Sequence, residues 1–193
     1  DVAMNEDTGY FSRTLYYRDH MGQITEVWDP NDNITTMTYD SLGRRTSIDD
    51  PDMGKIEYRF DNSGRVIAQN DYMDHEIFMK YDGAGRLTEK NYKSGDVFYH
   101  YDESGYGFSL GKITRVVDTR TVPNVIKSYD YQDSAGRLSD RTWTVDNVDY
   151  TIGQWYDLAG RISTLVYPDG EYVHQNYYED GRLQGIDGDA DYA

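Results

Sequence analysis

The chain has 193 residues, of which 37% are hydrophobic and 28% charged, and its formal net charge is -16. Such an acidic chain repels phosphate backbones and anionic lipids, so we expect no nucleic-acid partner. It has no run of about 18 apolar residues, so we expect no membrane insertion by this segment. The absence of cysteine excludes disulfide bonds, cysteine zinc sites and thiol catalysis. The 20 tyrosines and 18 glycines are typical of an ordered β protein with many tight turns.

A six-residue motif recurs along the chain and predicts its elements in order. It consists of an aromatic residue, aspartate, two variable residues, glycine and arginine. The full copies are Tyr39-Asp40-Ser41-Leu42-Gly43-Arg44, Phe60-Asp61-Asn62-Ser63-Gly64-Arg65, Tyr81-Asp82-Gly83-Ala84-Gly85-Arg86 and Tyr156-Asp157-Leu158-Ala159-Gly160-Arg161. The weaker copies are Tyr17-Arg18-Asp19-His20-Met21-Gly22-Gln23, Tyr101-Asp102-Glu103-Ser104-Gly105, Tyr131-Gln132-Asp133-Ser134-Ala135-Gly136-Arg137 and Tyr178-Glu179-Asp180-Gly181-Arg182.

The spacing of the motif glycines indicates what each repeat contains. Gly22, Gly43, Gly64 and Gly85 follow one another at intervals of 21 residues. The interval grows to 31 residues before Gly136, which indicates an insertion, and is 24 residues after it. Since two strands of typical length and two turns occupy about 21 residues, each repeat is predicted to be a β-hairpin with its connection to the next.

Turn and strand signals alternate within each repeat. The Asp-x-x-Gly step predicts a type I turn whose glycine takes the left-handed position of a bulged hairpin loop. A second cluster of turn-forming residues falls midway between these turns, for example Asp50-Pro51-Asp52-Met53-Gly54. Between turns, apolar and polar residues alternate, as at Ile56, Tyr58 and Phe60, which predicts strands. The predicted fold class is therefore all-β, with tandem antiparallel β-hairpins forming a curved or spiralling sheet.

The repeats also predict the domain organisation and the role of the motif. Residues 1–16 are interpreted as an N-terminal flank or partial repeat, 17–183 as an array of about eight units with an insertion near 105–124, and 184–193 as a C-terminal tail. Stacked hairpins would align the motif aromatics in a column and let each aspartate pair with an arginine within its turn or in the next unit. Exposed pairs contribute only ~0–1 kcal/mol, so we expect them to set the register of the hairpins.

Repeated Tyr-Asp-x-x-Gly-Arg at this period resembles the YD-repeat (RHS-repeat) family, from Tyr17 to Leu183. The resemblance implies hairpins that spiral into a hollow shell, which in bacterial members encloses a toxic C-terminal domain. Such members include the B and C components of insecticidal toxin complexes and polymorphic toxins, and related repeats occur in wall-associated proteins. The Asp-Pro-x-Gly-Leu type of motif that follows the repeats in this family is not found here, so we expect a segment of a larger shell or a small stand-alone array.

The leading functional hypothesis is a non-catalytic structural segment of an exported toxin or surface protein. Its partners would be further repeats or a toxin domain of the same larger protein, and its localisation would be secreted or cell-surface. The first ten residues lack the basic start and apolar core of a signal peptide, so export is implied by the resemblance alone. The four histidines share no spacing typical of metal sites, and we expect no catalytic residue, metal or cofactor.

The alternative is a carbohydrate-binding or adhesion module that recognises a cell-surface glycan. Exposed tryptophans and tyrosines stack on sugar rings, and the candidates for this contact are Trp28, Trp143 and Trp155. The competing interpretation is that the tryptophans are packed, with Trp28 and Trp155 replacing or flanking the motif aromatics in their column.

Overall fold

The computed structural model describes residues 2–4, 11–73 and 75–189, and none of these residues lies in a helix. The regular elements are strands joined by turns and loops, so the prediction of an all-β fold built from tandem antiparallel hairpins is confirmed. The described chain divides into two units. The first comprises the residues up to Lys80 together with Asn91–Lys93, and the second comprises Tyr81–Lys90 and the residues from Ser94 onward.

The first unit is a succession of antiparallel strands in chain order. Its strands are β1 (Val2–Met4), β2 (Phe11–Arg13), β3 (Leu15–Arg18), β4 (Ile24–Trp28), β5 (Ile34–Tyr39), β6 (Arg45–Asp50), β7 (Gly54–Phe60), β8 (Val66–Asp71) and β9 (Glu76–Tyr81, whose last residue belongs to the second unit). Strands β1 and β2 pair with each other in a separate two-stranded sheet. From β3 to β9, each strand pairs with the one that follows it along the chain.

The second unit repeats the same arrangement. Its strands are β10 (Leu87–Tyr92, whose last two residues belong to the first unit), β11 (Gly95–Tyr101), β12 (Ile113–Asp118), β13 (Val125–Asp130), β14 (Asp140–Val145), β15 (Val148–Tyr156), β16 (Ile162–Val166), β17 (Tyr172–Tyr177) and β18 (Leu183–Asp189). From β11 to β18, each strand pairs antiparallel with the next. Because neighbours in the sheet are neighbours in the sequence, every turn joins two adjacent strands.

Strand alternation gives the sheet two chemically different faces. In β7, Ile56 and Tyr58 are half-buried, whereas Lys55, Glu57 and Arg59 are exposed on the opposite face. The fold contains little closed core: among the described residues, the buried hydrophobic side chains are those of Ala68, Val97 and Tyr131. Stability therefore depends on contacts between successive strands and turns, as expected for a repeat protein in which each unit contacts its neighbours.

Strand pairing extends beyond the predicted limits of the array. Strand β3 begins at Leu15, inside the predicted flank, and β18 runs through most of the predicted tail to Asp189. The last turn needs a returning strand, and β18 supplies it by pairing with the full length of β17. The insertion lies between β11 and β12, where residues 102–112 replace a short turn. No described residue belongs to a helix long and apolar enough to cross a membrane.

Candidate functional site

The recurring turn is built by one aspartate that organises the backbone around it. The Asp40 carboxylate oxygen Oδ1 accepts hydrogen bonds from the backbone N–H groups of Leu42 (2.9 Å) and Arg44 (3.0 Å). The Gly43 N–H donates to the Asp40 carbonyl oxygen at 3.0 Å, and Gly43 has a φ of 82°, which a residue with a side chain rarely adopts. The same backbone bonds close the turns that begin at Asp19, Asp61, Asp82 and Asp157.

The strand that enters a motif turn changes register at or next to its motif aromatic. Pairing shifts between Thr38 and Tyr39, between Arg59 and Phe60, and at the equivalent places in β11, β15 and β17. Such a bulge accompanies a hairpin loop whose last residue is a left-handed glycine. The motif therefore specifies both the turn and the bulge beside it.

The motif arginine pairs with the aspartate of its own turn. Arg44 Nε lies 2.6 Å from Asp40 Oδ2, and the distance is 2.7 Å in the pairs Arg65–Asp61, Arg86–Asp82 and Arg161–Asp157. These side chains are partly exposed, so each pair contributes at most ~1 kcal/mol. The pairing holds the guanidinium in one orientation, which matters for its contact with the next repeat.

Hydrogen bonding within the turns lowers the pKa of several motif aspartates. The backbone N–H and the guanidinium of Arg86 hold the pKa of Asp82 below its usual value. The side chain of Arg137 donates a hydrogen bond to each carboxylate oxygen of Asp133 at 2.9 Å and lowers the pKa of that aspartate to about 2. An ionised carboxylate that is already paired is a poor general acid at neutral pH, so the turns favour a structural role for these residues.

Several motif arginines also lie over the aromatic ring of the following motif. The guanidinium carbon Cζ of Arg137 lies 4.2 Å from the ring centroid of Tyr156, and that of Arg161 lies 4.3 Å from the ring centroid of Tyr177. The equivalent distances are 4.7 Å for Arg44 over Phe60 and 4.4 Å for Arg86 over Tyr101. A cation within about 6 Å of a ring centroid is attracted by the ring, so this contact links one repeat to the next.

The motif tyrosine makes the return contact. Its hydroxyl donates to the backbone carbonyl oxygen of the first residue after the preceding turn. The hydroxyl-to-carbonyl distances are 2.7 Å for Tyr39 to Ile24, 2.9 Å for Tyr101 to Leu87, 2.8 Å for Tyr131 to Ile113, 2.8 Å for Tyr156 to Leu138 and 2.9 Å for Tyr177 to Ile162. We call this set of arginine–ring and tyrosine–carbonyl contacts the turn ladder.

The motif glycine leaves room for the ladder as well as permitting the turn. A Cβ atom built on Gly160 would lie 3.3 Å from Nη1 of Arg137, the arginine of the preceding motif. A Cβ atom on Gly43 would lie 2.9 Å from the side-chain amide of Gln23, which occupies the arginine position of its motif. Gly43 and Gly160 are thus restricted both by backbone conformation and by a side chain from the preceding repeat, whereas a Cβ atom on Gly64 or Gly181 would make only an ordinary contact with the preceding arginine, at 3.9 and 3.7 Å.

Two imperfect motifs are completed by residues that the sequence analysis did not select. Gly105 was predicted to close the turn that begins at Asp102, but this assignment is wrong. The structure closes that turn with Gly111 and Lys112, since the Gly111 N–H donates to the Asp102 carboxylate at 2.6 Å and Asp102 N–H donates to the Lys112 carbonyl at 3.2 Å. The ammonium of Lys112 then lies 4.5 Å from the ring centroid of Tyr131, in the position of a motif arginine.

The last motif is shifted by one residue from its predicted position. The aromatic residue of the ladder is Tyr177, which lies under Arg161, whereas Tyr178 occupies the aspartate position at the start of the turn. The N–H of Tyr178 donates to the Arg182 carbonyl at 2.9 Å, and Arg182 pairs with Asp180 at 2.8 Å. The interval of 21 residues from Tyr156 to Tyr177 is the sequence signal that could have identified Tyr177 as the motif aromatic.

The three tryptophans have different environments. Trp28 is half-buried, contacts Tyr17 at 5.8 Å between ring centroids and donates its indole N–H to Glu26 at 2.9 Å. Trp143 is half-buried, with the Arg141 guanidinium 5.9 Å from its ring centroid. Trp155 is 56% exposed and lies on the opposite face of β15 from the side chain of Gln154. Trp155 therefore presents the most accessible indole ring among the three.

The described residues contain no group of three or more histidine, aspartate or glutamate side chains placed to hold a metal ion. His75 pairs with Asp71 at 3.1 Å, and His174 contacts Thr164 at 3.1 Å. The dominant arrangement is thus the turn ladder, whose chemistry is the connection of successive hairpins.

Comparisons with known proteins agree with this arrangement. The family model for the RHS repeat matches residues 19–52, which contain the two motif turns that begin at Asp19 and Asp40 and the strands β4 to β6. No curated protein matches the sequence at a significant level.

Solved structures match almost the whole chain at low sequence identity. The crystal structure of TcdB2-TccC3-TEV superposes with a TM-score of 0.74 and 14% identity, over 96% of this chain and 11% of that one. The crystal structure of TcdB2-TccC3 without hypervariable C-terminal region gives a TM-score of 0.58 and 16% identity, over 91% and 12%. A structure of the Photorhabdus luminescens Tc holotoxin pore superposes with a TM-score of 0.55 and 14% identity, over 92% of this chain and 13% of that one.

The chain spans about one-tenth of the length of these solved chains, and at such identities the likeness concerns the fold. The repeated motif, the hairpin turns, the matched family model and this fold all agree. The resemblance of this chain to the YD-repeat, or RHS-repeat, family is therefore confirmed.

Proposed function

We propose that this chain is a non-catalytic structural segment of an exported, toxin-type protein. Its hairpins would form part of a β-shell that encloses or presents a toxic or variable C-terminal domain. The observation that carries this proposal is the turn ladder, because it connects each hairpin to the next through the same residues that form the turns. A wall assembled this way can be extended by further repeats without a new kind of contact.

Three features support the containment role. The fold resembles segments of toxin-complex chains, one of which is described as lacking a hypervariable C-terminal region. The motif carboxylates are engaged in their turns by hydrogen bonds and ion pairs, which leaves them few roles outside the scaffold. The net charge of -16 disfavours nucleic acid as a partner and keeps such a surface soluble.

The partners under this proposal are further repeats and a toxin domain of the same larger protein. The array would include residues 17–183, with the flanking residues on either side continuing the pairing to neighbouring segments. Secretion or display at the cell surface follows from the toxin-type assignment. A glycan-binding role is a separate candidate that the exposure of Trp155 favours, and its site is described in the next subsection.

Protease protection in the full-length protein tests this proposal. If the repeats enclose a C-terminal domain, that domain should resist a protease such as thermolysin in the wild type. The variant Arg137→Ala removes a ladder contact and should increase cleavage of the domain, whereas Arg45→Ala, which changes an exposed arginine just outside a motif, should not. If the C-terminal domain is cleaved readily in the wild type, at the same rate as in both variants, it is not enclosed.

A further inference from the structure

A groove outside the turn ladder crosses one face of strands β14 to β17 in the second unit. Its floor follows every second residue of β15, namely Asp149, Thr151, Gly153 and Trp155. Asp140 of β14 and Val166 of β16 lie directly opposite Gly153, and Tyr172 of β17 lies opposite Val166. The β16–β17 turn, with Tyr167, Pro168 and Gly170, lines one side.

The aromatic end of the groove is open to solvent. Trp155 is 56% exposed and Tyr172 is 37% exposed. Their ring centroids lie 5.9 Å apart with an angle of 59° between the ring planes, and Tyr172 stacks in turn on His174 at 6.5 Å. The ladder does not use these rings, since the ladder contacts of this region are made by Tyr156 and Tyr177.

Gly153 keeps the middle of the groove empty. Its backbone is not left-handed, so a residue with a side chain fits the local conformation. A Cβ atom there would lie 3.3 Å from an Asp140 carboxylate oxygen and 3.5 Å from Val166 Cβ, which requires only a small adjustment. A glycine inside a strand weakens the strand and often marks a place where a ligand approaches the backbone closely. Its presence in the longest strand is therefore informative about the groove.

The polar groups of the groove are hydrogen-bond acceptors and hydroxyls. Asp140 lies beside Gly153, and Asp149 accepts a hydrogen bond from Thr144 at 2.6 Å while keeping further acceptor capacity. Thr151 shares a hydrogen bond with Thr142 at 2.8 Å. Carboxylates accept hydroxyl hydrogens strongly and repel anions, so these groups match a neutral ligand with many hydroxyl groups.

The layout distinguishes an extended sugar from other ligands. Asp149 and Trp155 are six residues apart on one strand, which corresponds to about 20 Å. A small cation needs rings and carboxylates that converge on one point, whereas these groups are distributed along the strand. A peptide that adds to a sheet needs a free strand edge, and both edges of β15 are paired with β14 and β16.

We propose that this groove is a binding site for a neutral oligosaccharide. One sugar ring packs its C–H face on the Trp155 indole, with Tyr172 at its side. Hydroxyl groups of the next sugars donate to the Asp140 and Asp149 carboxylates, and the chain passes over Gly153. Only a few placed polar groups are needed to orient such a ligand on an aromatic surface.

Binding is tested first with an array of neutral oligosaccharides ending in glucose, galactose or N-acetylglucosamine, printed beside sialylated and sulfated forms. We expect binding to a subset of the neutral glycans. Titration of the best neutral glycan into the Trp28→Phe/Trp143→Phe double variant, in which Trp155 is the remaining tryptophan, should shift the tryptophan fluorescence. Failure to bind any neutral glycan, or binding restricted to acidic glycans, overturns the proposal.

Variants then locate the site. Trp155→Ala and Gly153→Val should each weaken binding at least about tenfold, which corresponds to ~1.4 kcal/mol. Asp140→Asn keeps the shape of the side chain and should weaken binding without altering the fold. This variant therefore tests the site even if Gly153→Val does not fold. Circular dichroism and thermal melting check each variant. Unchanged affinity in Trp155→Ala and Asp140→Asn, or equal binding of choline at the same concentrations, overturns the saccharide site.

Discussion

The motif position at residue 60 offers a test of the turn ladder by gain of function. Phe60 lies under Arg44 as the motif tyrosines lie under their arginines, but it has no hydroxyl group. In five other hairpins, the tyrosine hydroxyl reaches the carbonyl oxygen of the residue that follows the preceding motif arginine or its replacement, at 2.7 to 2.9 Å. For residue 60, the corresponding acceptor is the carbonyl oxygen of Arg45. Phe60→Tyr should therefore add the missing hydrogen bond.

The expected gain follows from the net value of a protein hydrogen bond. Such a bond contributes ~0.5–1.5 kcal/mol, so Phe60→Tyr should raise the free energy of unfolding by about 1 kcal/mol. For a chain of this size, that corresponds to a rise in Tm of ~2–4 °C. The reciprocal variant Tyr177→Phe removes a hydroxyl that lies 2.9 Å from the Ile162 carbonyl oxygen and 2.8 Å from Gln175 Oε1, and it should lower the free energy of unfolding by a similar amount.

Urea unfolding followed by circular dichroism measures both changes. Tyr150 provides the matched control, because it is 48% exposed and lies outside the ladder, and Tyr150→Phe should have little effect on stability. A Phe60→Tyr protein that is no more stable than the wild type would refute the idea that the hydroxyl contact is a repeated stabilising element. So would equal losses in Tyr177→Phe and Tyr150→Phe.

Three further predictions concern the turn itself. Gly85→Val should destabilise the chain by at least ~1–2 kcal/mol in urea unfolding, because Gly85 has a φ of 84°. The control Gly83→Val, in the same turn, should be tolerated because a Cβ atom there meets nothing within 4 Å. Equal losses of stability in the two variants would refute the turn assignment. Gln23→Arg should raise the free energy of unfolding by ~0.5–1 kcal/mol by pairing with Asp19 and covering the Tyr39 ring, and no gain in thermal melting would contradict this. The pKa of Asp133 is lowered from 3.8 to about 2 by Arg137, so its stabilisation is present above pH 3.8 and is lost as the pH falls toward 2. Asp133→Asn should therefore flatten the loss of stability between pH 4 and pH 2 in acid titrations followed by circular dichroism, and an unchanged acid transition would contradict it.

Much of the fold could be predicted because its determinants are local. An aspartate, a glycine three residues later and alternating strands on both sides specify a hairpin without reference to distant residues. The repeat then places identical hairpins in succession, and pairing between sequence neighbours follows. The limits of the array were harder to predict, since the motif marks turns and not the returning strand that β18 supplies.

The ladder could be anticipated only in part. The sequence left open whether each aspartate pairs with an arginine within its turn or in another unit. The structure shows the pair within the turn, and at Arg86 it shows both, since Arg86 also lies 2.8 Å from Asp102 of the next motif. The contact of the arginine with the next aromatic depends on how two hairpins pack, so a sequence motif does not reveal it. The substitution of Gly111 and Lys112 for the glycine and arginine was hidden by the insertion, which separates them from Asp102 in the sequence.

The groove was the least predictable feature. Nothing in the sequence favoured one of the three tryptophans over the others as a glycan contact. Only the strand register distinguishes exposed Trp155 from half-buried Trp28 and Trp143. One signal was present: the interval from Gly136 to Gly160 is 24 residues instead of 21. The extra residues lengthen the β14–β15 hairpin, and β15 reaches nine residues. A longer hairpin provides the surface along which the groove runs.

The most direct test of the account is a double-mutant cycle between Arg161 and Tyr177, which belong to successive turns. Their guanidinium-to-ring distance is 4.3 Å. Unfolding of Arg161→Met, Tyr177→Leu and the double variant should give a coupling energy of ~0.5–2 kcal/mol, whereas the same cycle for Arg86 and Tyr177, which are not in successive turns, should be additive. Additivity within ~0.3–0.5 kcal/mol for Arg161 and Tyr177 would contradict the claim that motif side chains connect one repeat to the next.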